Sequence, residues 1–103
     1  MDVGAAVSGC GPAFVDLFLE AMAGGGVACG LPRAQALEFA AQMMVGSARL
    51  VLESGKHPGA LKDAVCSPAG STIQGVRTLE NAGFRGAVME AVIAAYEKSK
   101  ALR

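Results

Sequence analysis

The chain has 103 residues, of which 52% are hydrophobic and 17% charged, with nine basic residues balanced by nine acidic ones. This length suits one domain, residues 1 to 103, and the balanced charge gives no electrostatic reason to expect a nucleic-acid partner or an anionic membrane. More apolar residues are present than a domain of this size buries, so we expect the surplus apolar surface to meet another subunit.

Prolines and glycines predict the first two helices. Pro12 opens a first helix that runs to about Cys29. Pro32 opens a second helix that runs through Glu53 and ends at Gly55. Proline suits the first helical turn and glycine the position just past the end, so this order of residues is typical of a helical protein.

Three shorter helices follow. The third covers residues 58 to 66, because Pro68 forbids its continuation. The fourth covers about 71 to 82 and stops at Gly83, and the last runs from about Arg85 to the end. No lasting period-two alternation and no Asn-Gly or Asp-Gly turn predicts a strand. The expected fold is all-α, a bundle of about five helices.

The second predicted helix is apolar or small on most of its circumference. Its polar residues form one narrow stripe, made of Gln35, Glu38, Gln42, Arg49 and Glu53. A helix of this kind is buried on several sides, which five helices of one small chain hardly provide. We therefore expect the bundle to intertwine with a second copy as a homodimer.

Charged residues interrupt the apolar segments. Asp16 and Glu20 break the first candidate run and Glu38 and Arg49 the second, so that no uninterrupted run approaches the length of a membrane span. The start lacks a basic segment followed by an apolar one, as in a signal peptide. We expect a soluble cytoplasmic protein without a membrane partner.

The cysteines are odd in number and widely spaced, at Cys10, Cys29 and Cys66. This pattern favours reduced, structural thiols in an intracellular compartment over a reactive thiol. With His57 as the one histidine, we expect no zinc site. His57 precedes Pro58 in a polar turn, which favours an exposed helix start over a general base.

The stretch SPAGST, residues 67 to 72, separates the third and fourth predicted helices and allows two interpretations. In the first, Ser71 and Gln74 form a capping box, with Ser71 as the N-cap. The stretch is then a helix start and nothing more.

In the second interpretation the same stretch is an anion site. Free backbone N–H groups and the positive end of the helix dipole attract negative charge at a helix start. Gly70 lets an anion approach the backbone, and Ser67, Ser71 and Thr72 supply hydroxyl donors. Without a Lys or Arg in the stretch, a carboxylate suits the site better than a phosphate. Both interpretations can hold, because a capped helix retains unused donors.

A dinucleotide-binding motif is not supported in SGCGPAF, residues 8 to 14. The G-x-G-x-x-G fingerprint follows a strand, and here Phe14 stands where the third glycine belongs. The stretch is interpreted as a flexible entry to the first helix, and no cofactor-binding residue is expected in the chain.

Three motifs together resemble a known family. SGCGPAF, then GLPRAQALEFAAQMMVGSARLVLESGKHPGALKDAV, then SPAGSTIQGVRTLENAGFRGAVMEAV, in this order and spacing, look like the C-terminal domain of pyrroline-5-carboxylate reductase. The resemblance covers residues 7 to 98. It implies a two-domain enzyme of proline biosynthesis that reduces 1-pyrroline-5-carboxylate to L-proline with NADPH or NADH. Its dinucleotide is bound by an N-terminal Rossmann domain, and its helical domain forms a dimer and, in some cases, a ring of dimers.

The resemblance also implies roles for individual residues. Ser67 and Thr72 match positions whose hydroxyls contact the substrate, and Gly70 and Ser71 match positions that offer backbone amides to its carboxylate. Thr72 matches a position near the imine nitrogen, so it is the expected catalytic residue, with a part in protonation. Its role would be orientation and polarisation rather than nucleophilic attack.

Two departures from the family pattern bear on these expectations. The family usually has two glycines where this chain has Ala69 and Gly70, and the first of them matters if it needs a positive φ. The Rossmann domain is absent from these 103 residues. By itself the chain is expected to bind no cofactor and reduce nothing, as a piece of a longer reductase.

Two other classes remain open. One is a standalone helical oligomerisation module without catalytic activity, although retention of Ser67, Gly70 and Thr72 argues mildly against loss of the loop's function. The other is the helical domain of a related hydroxy-acid dehydrogenase, in which the resemblance leads one to expect a catalytic Lys on the first long helix. No Lys occurs before Lys56.

Overall fold

The computed structural model describes residues 2 to 101, in which there are five helices and no strand. The all-α prediction is therefore confirmed. The helices are α1 (Val3–Ala28), α2 (Arg33–Ser54), α3 (Pro58–Ala64), α4 (Ser71–Asn81) and α5 (Phe84–Ala101).

The predicted start of the first helix at Pro12 is wrong. Helix α1 begins at Val3, where the side chain of Asp2 accepts a hydrogen bond of 2.6 Å from the backbone N–H of Ala5. This cap satisfies one of the amides that a helix start leaves without a partner. Pro12 lies inside the helix, and SGCGPAF is helical rather than a flexible entry.

Pro12 interrupts the hydrogen bonding of α1 without ending the helix. A proline in a helix interior cannot bond the carbonyl four residues earlier, which here belongs to Ser8. Ser8 is an exposed residue. The hydroxyl of Ser8 itself donates to the carbonyl of Gly4 at 3.0 Å. The sequence rule failed because the cap at Asp2 and the packing of α1 against α2 and α5 outweigh the one lost hydrogen bond.

The other helix boundaries follow the prediction closely. Gly55 and Gly83 have positive φ values of 68° and 78°, as expected for residues that end helices. Helix α3 ends two residues earlier than predicted, because Val65 and Cys66 form tighter bonds to carbonyls three residues back. Pro58 occupies the first turn of α3, where its missing N–H costs nothing.

Helix α1 packs mainly against α2 and also against α5, while α4 packs against α5. Small residues allow the contact between α1 and α2. A Cβ added at Gly26 would lie 3.2 Å from the Cβ of Ala36, so the two helices approach closely at this point. The backbone N–H of Leu31 bonds the carbonyl of Gly26 at 2.9 Å, which fixes the turn between α1 and α2.

A single chain encloses almost no core. Among residues 2 to 101 the buried hydrophobic side chains are those of Ala6, Ala23, Ala36 and Ala40. The accessible surface is 7468 Å², against about 5,400 Å² for a folded monomer of this mass. The radius of gyration is 15.6 Å, against about 13 Å for a compact domain of 100 residues. The arrangement of these helices suits packing against another protein surface.

One of the described helices, α1, is long and apolar enough to cross a membrane by length and composition. Asp16 and Glu20 interrupt the apolar run of α1, but the helix still meets this criterion of length and composition. The central helix of a soluble protein meets the same criterion, so the finding is weak evidence for a membrane span.

Candidate functional site

The hydroxyl loop, residues 67 to 72, begins with a tight turn. The backbone N–H of Gly70 donates to the carbonyl of Ser67 at 3.0 Å. Pro68 and Ala69 are the two central residues, and Ala69 has a positive φ of 60°. Proline at the second position and positive φ at the third are the features of a type II turn.

Ala69 adopts a conformation that normally belongs to glycine. Among residues 2 to 101 it is the one non-glycine residue with positive φ. The left-handed region costs an alanine about 1–2 kcal/mol, because Cβ approaches the backbone too closely. Ala69, which stands where the family usually has the first of two glycines, therefore occupies a position at which glycine would be unstrained.

Gly70 is in close contact with Ser67. A Cβ built on Gly70 would collide with the hydroxyl oxygen of Ser67 and would lie 3.3 Å from its carbonyl oxygen. The absence of a side chain at Gly70 is what lets the Ser67 hydroxyl lie against the backbone that leads into α4.

The capping box predicted for Ser71 and Gln74 is wrong. The N-cap of α4 is Gly70, with extended backbone angles of −76° and 175°, and no side chain caps this helix. Ser71 is not the N-cap, because it is already the first helical residue. The amides of the first turn therefore have no side-chain partner. That leaves the anion-site interpretation with more free donors than the sequence suggested.

The loop brings together three hydroxyls and a helix start. Ser67, Ser71 and Thr72 are exposed and Gly70 is half-buried, so a small ligand has access to all four. The loop contains no ionisable side chain. Its chemistry is limited to neutral hydrogen-bonding groups, and their O–H and N–H donors suit a carboxylate. The assignment of Ser67, Gly70, Ser71 and Thr72 to substrate, and of Thr72 to catalysis, stays a prediction.

A second feature is an apolar groove of about 730 Å³ between α1, α2, α4 and α5. Its lining includes Phe14, Phe18, Met44, Phe84 and Val88, and almost all of its surface is hydrocarbon. The rings of Phe18 and Phe84 lie with their centroids 5.9 Å apart at 46°. Sequence periodicity could not reveal this groove, because it forms between helices that are distant along the chain.

Apolar exposure continues beyond the groove. Leu52 is 82% exposed, and Phe39 and Met89 are each more than half exposed, while Leu17, which lines the groove, is itself 65% exposed. Monomeric soluble proteins rarely expose apolar surface on this scale unless it meets another molecule. The surplus of apolar residues in the composition is thus concentrated on faces that one chain leaves open.

The remaining candidates from the sequence occupy ordinary structural positions. His57 caps α3, since its Nδ1 accepts a hydrogen bond of 2.9 Å from the N–H of Gly59, which confirms the predicted helix start. Gly9 and Gly11 lie within α1, so this stretch does not have the strand-turn-helix form of a dinucleotide loop. In the described range the three cysteines are free and no cluster of metal-ligating side chains occurs.

The comparisons with known proteins agree with one another. A family model described as pyrroline-5-carboxylate reductase dimerisation matches residues 1 to 102. Pyrroline-5-carboxylate reductase of Escherichia coli (strain K12) is 60% identical over 96 residues, which cover 93% of this chain and 36% of that protein. The enzyme of the same name from Methanosarcina acetivorans is 55% identical over 102 residues, which cover 99% of this chain and 38% of the relative.

Solved structures give the same result for the fold. The Plasmodium falciparum pyrroline carboxylate reductase with NADP bound is similar at a TM-score of 0.93 and 44% identity, covering 98% of this chain and 41% of that one. The 1-pyrroline-5-carboxylate reductase of Streptococcus pyogenes is similar at a TM-score of 0.93 and 38% identity, covering 96% and 38%. The chain thus spans between a third and about two-fifths of the length of the relatives it matches.

Proposed function

The chain belongs to the pyrroline-5-carboxylate reductase family as its dimerisation domain, and on that premise we propose that it supplies the dimer contact and the carboxylate-binding loop of such a reductase. The reaction is the reduction of 1-pyrroline-5-carboxylate to L-proline with NADPH or NADH. The observation that carries the proposal is the helix start at Gly70, which has exposed hydroxyls beside it and no side-chain cap.

Dimer formation is supported by what a single chain lacks. Four buried alanines bury too little apolar surface to hold five helices together, while the groove lined by Phe14, Phe18 and Phe84 offers an open apolar surface to a partner. Two copies that insert helices into each other's grooves would bury this surface and give each chain its core. Further assembly of dimers into a ring and a cytoplasmic location are part of the same proposal.

The loop's role is supported by its chemistry. The unused amides and the dipole of α4 favour a negative group at its N-terminus, and Ser67, Ser71 and Thr72 add hydroxyl donors. A substrate carboxylate held there would be fixed in position relative to the reacting C=N bond. We assign Thr72 to a hydrogen bond near the imine nitrogen, where a hydroxyl can orient and polarise that bond.

The hydride for this reaction comes from a nicotinamide cofactor when one is bound. The described residues of this chain offer no dinucleotide loop, so the domain's own contribution is to position the substrate and to pair two subunits. On this proposal the 103 residues alone do not catalyse the reduction.

Kinetics of single variants test the loop. Thr72→Ala and Ser67→Ala, each in a chain that also carries its dinucleotide-binding domain, are expected to lower kcat/KM by about 10- to 100-fold, as for a lost hydrogen bond to a charged group. Thr78→Ala is the matched control, because that hydroxyl bonds only its own helix, at the carbonyl of Gln74. Equal kinetics in all three variants would rule out the loop as the substrate site.

Light scattering at micromolar concentration tests dimer formation. The unaltered domain is expected to have the mass of two chains. Val88→Asn places an amide in the groove and is expected to shift the protein toward monomer, while Glu90→Asn, two positions along the same helix, is the control. A monomeric mass for the unaltered domain would refute the dimer.

A further inference from the structure

We propose that Ala69 is a positioning residue that sets how tightly the hydroxyl loop holds its carboxylate. The proposal rests on the carboxylate-binding function given above. Its basis is the positive φ of 60° at Ala69, in a turn that little else in the chain holds in place.

The surroundings of Ala69 do not account for its conformation. Ser67, Pro68 and Ala69 are all exposed, and the turn is closed by the single bond from the N–H of Gly70 to the carbonyl of Ser67. Helix α3, which leads into the loop, is not among the helices in extensive contact with one another. A strained residue persists where its environment over-determines it. Within the described part of one chain, no contact beyond the bond between Gly70 and Ser67 does so.

A less strained alternative is open to the same four residues. If Ala69 takes a right-handed conformation, Pro68 and Ala69 form a type I turn that keeps the bond between Ser67 and Gly70. The two turns differ in the orientation of the peptide group between Pro68 and Ala69. Because alanine favours the right-handed form, the ligand-free loop is a mixture of the two turns. A carboxylate selects the turn with left-handed Ala69, to which it binds more tightly.

The mixture has a measurable effect on affinity. The apparent dissociation constant is the intrinsic one divided by the fraction of loops in the binding form. Glycine adopts positive φ about as readily as negative φ, whereas alanine does so far less often. If the fraction rises from about one tenth with alanine to about one half with glycine, the apparent affinity rises about fivefold.

Three variants at this position test the proposal in a chain that carries both domains, with 1-pyrroline-5-carboxylate as the probe. Ala69→Gly and Ala69→Asn, which both tolerate positive φ, are expected to lower KM about fivefold. Ala69→Val is expected to raise KM, since a β-branched residue is an outlier there. The kcat should stay constant, because the bound loop is the same in each variant.

The outcomes separate this proposal from the one on which it rests. A KM that stays within about twofold in Ala69→Gly and Ala69→Asn overturns the positioning role. If Thr72→Ala and Ser67→Ala still lower kcat/KM, the carboxylate loop survives that result. If those two variants also change nothing, both proposals fail. A purely structural role would move the melting temperature and kcat but leave KM in place.

A spectroscopic measurement keeps the test independent of Ala69→Val, which could fail to fold. The nuclear Overhauser effect between the amide and α protons of residue 69 reports the sign of its φ in solution, because a positive φ brings these two protons closer together. In the ligand-free protein we expect an averaged, weaker effect for Ala69 that grows toward the left-handed value when substrate is added. An effect that is already at the full left-handed strength without substrate contradicts the proposed mixture.

Discussion

The hydroxyl of Ser67 fills the space that a side chain at Gly70 would need. The backbone of Gly70, at −76° and 175°, suits any residue. The requirement for glycine at this position therefore comes from its neighbour and not from its own dihedral angles.

Gly70→Ala should therefore act through Ser67. We expect the hydroxyl of Ser67 to rotate away while the helix start is kept, so that kcat/KM falls by about tenfold or more, as in Ser67→Ala. Gly75→Ala in α4 is the matched control, since a Cβ there meets nothing within 4 Å. Steady-state kinetics of the double variant decide the matter, because a shared cause predicts that the two effects do not add.

Gly26→Val should destabilise the protein where α1 meets α2. The Cβ alone would approach that of Ala36 to 3.2 Å, and two further methyl groups force the helices apart. We expect the free energy of unfolding to fall by about 1–3 kcal/mol. Gly25→Val lies one position away with nothing within 4 Å of its Cβ and should cost less in urea unfolding. Equal losses in the two variants would contradict the close approach.

The pair of Phe18 and Phe84 should contribute more than the area each ring buries. Their centroid distance of 5.9 Å and angle of 46° lie within the range of favourable aromatic pairs. A double-mutant cycle with Phe18→Leu and Phe84→Leu is expected to give a coupling energy of about 0.5–1.5 kcal/mol. Strictly additive losses in thermal unfolding would show that the rings pack independently.

Pro12→Ala should stabilise α1. The new N–H can bond the carbonyl of Ser8 and the ring's steric clash is removed, which we expect to raise the free energy of unfolding by about 2–3 kcal/mol. Pro32→Ala is the comparison, because Pro32 is the N-cap of α2 and interrupts no helical bond. If Pro12→Ala is neutral or destabilising, then the proline has a packing role in the dimer that outweighs the lost hydrogen bond.

Helix ends were the most predictable feature of the fold. Pro58 restricts φ in the first turn of α3, and Gly55 and Gly83 allow the positive φ at which a helix ends, so local rules located these boundaries to within two residues. Pro12 misled the same rules. The free energy of the whole of α1, with its cap at Asp2 and its contacts with α2 and α5, outweighs one lost bond.

The candidate site was predictable in composition but not in geometry. The hydroxyls and glycine of the loop are visible in the sequence, and the free amides of α4 follow from its start. Which residue is the N-cap depended on a one-residue difference between Gly70 and Ser71. That difference decides whether the serine side chain is used by the helix or is free to bind a ligand. The apolar groove depends on tertiary packing, which no local pattern encodes.

The near-absence of buried side chains in one chain makes stability a function of protein concentration. Where two chains share one core, folding and association are a single equilibrium, so the melting temperature rises when the protein is concentrated and falls when it is diluted. A chain without its partner exposes Leu17, Phe39 and Leu52, the kind of surface that chaperones and proteases recognise. Dilution is therefore expected to shorten the lifetime of the folded protein as well as to lower its melting temperature.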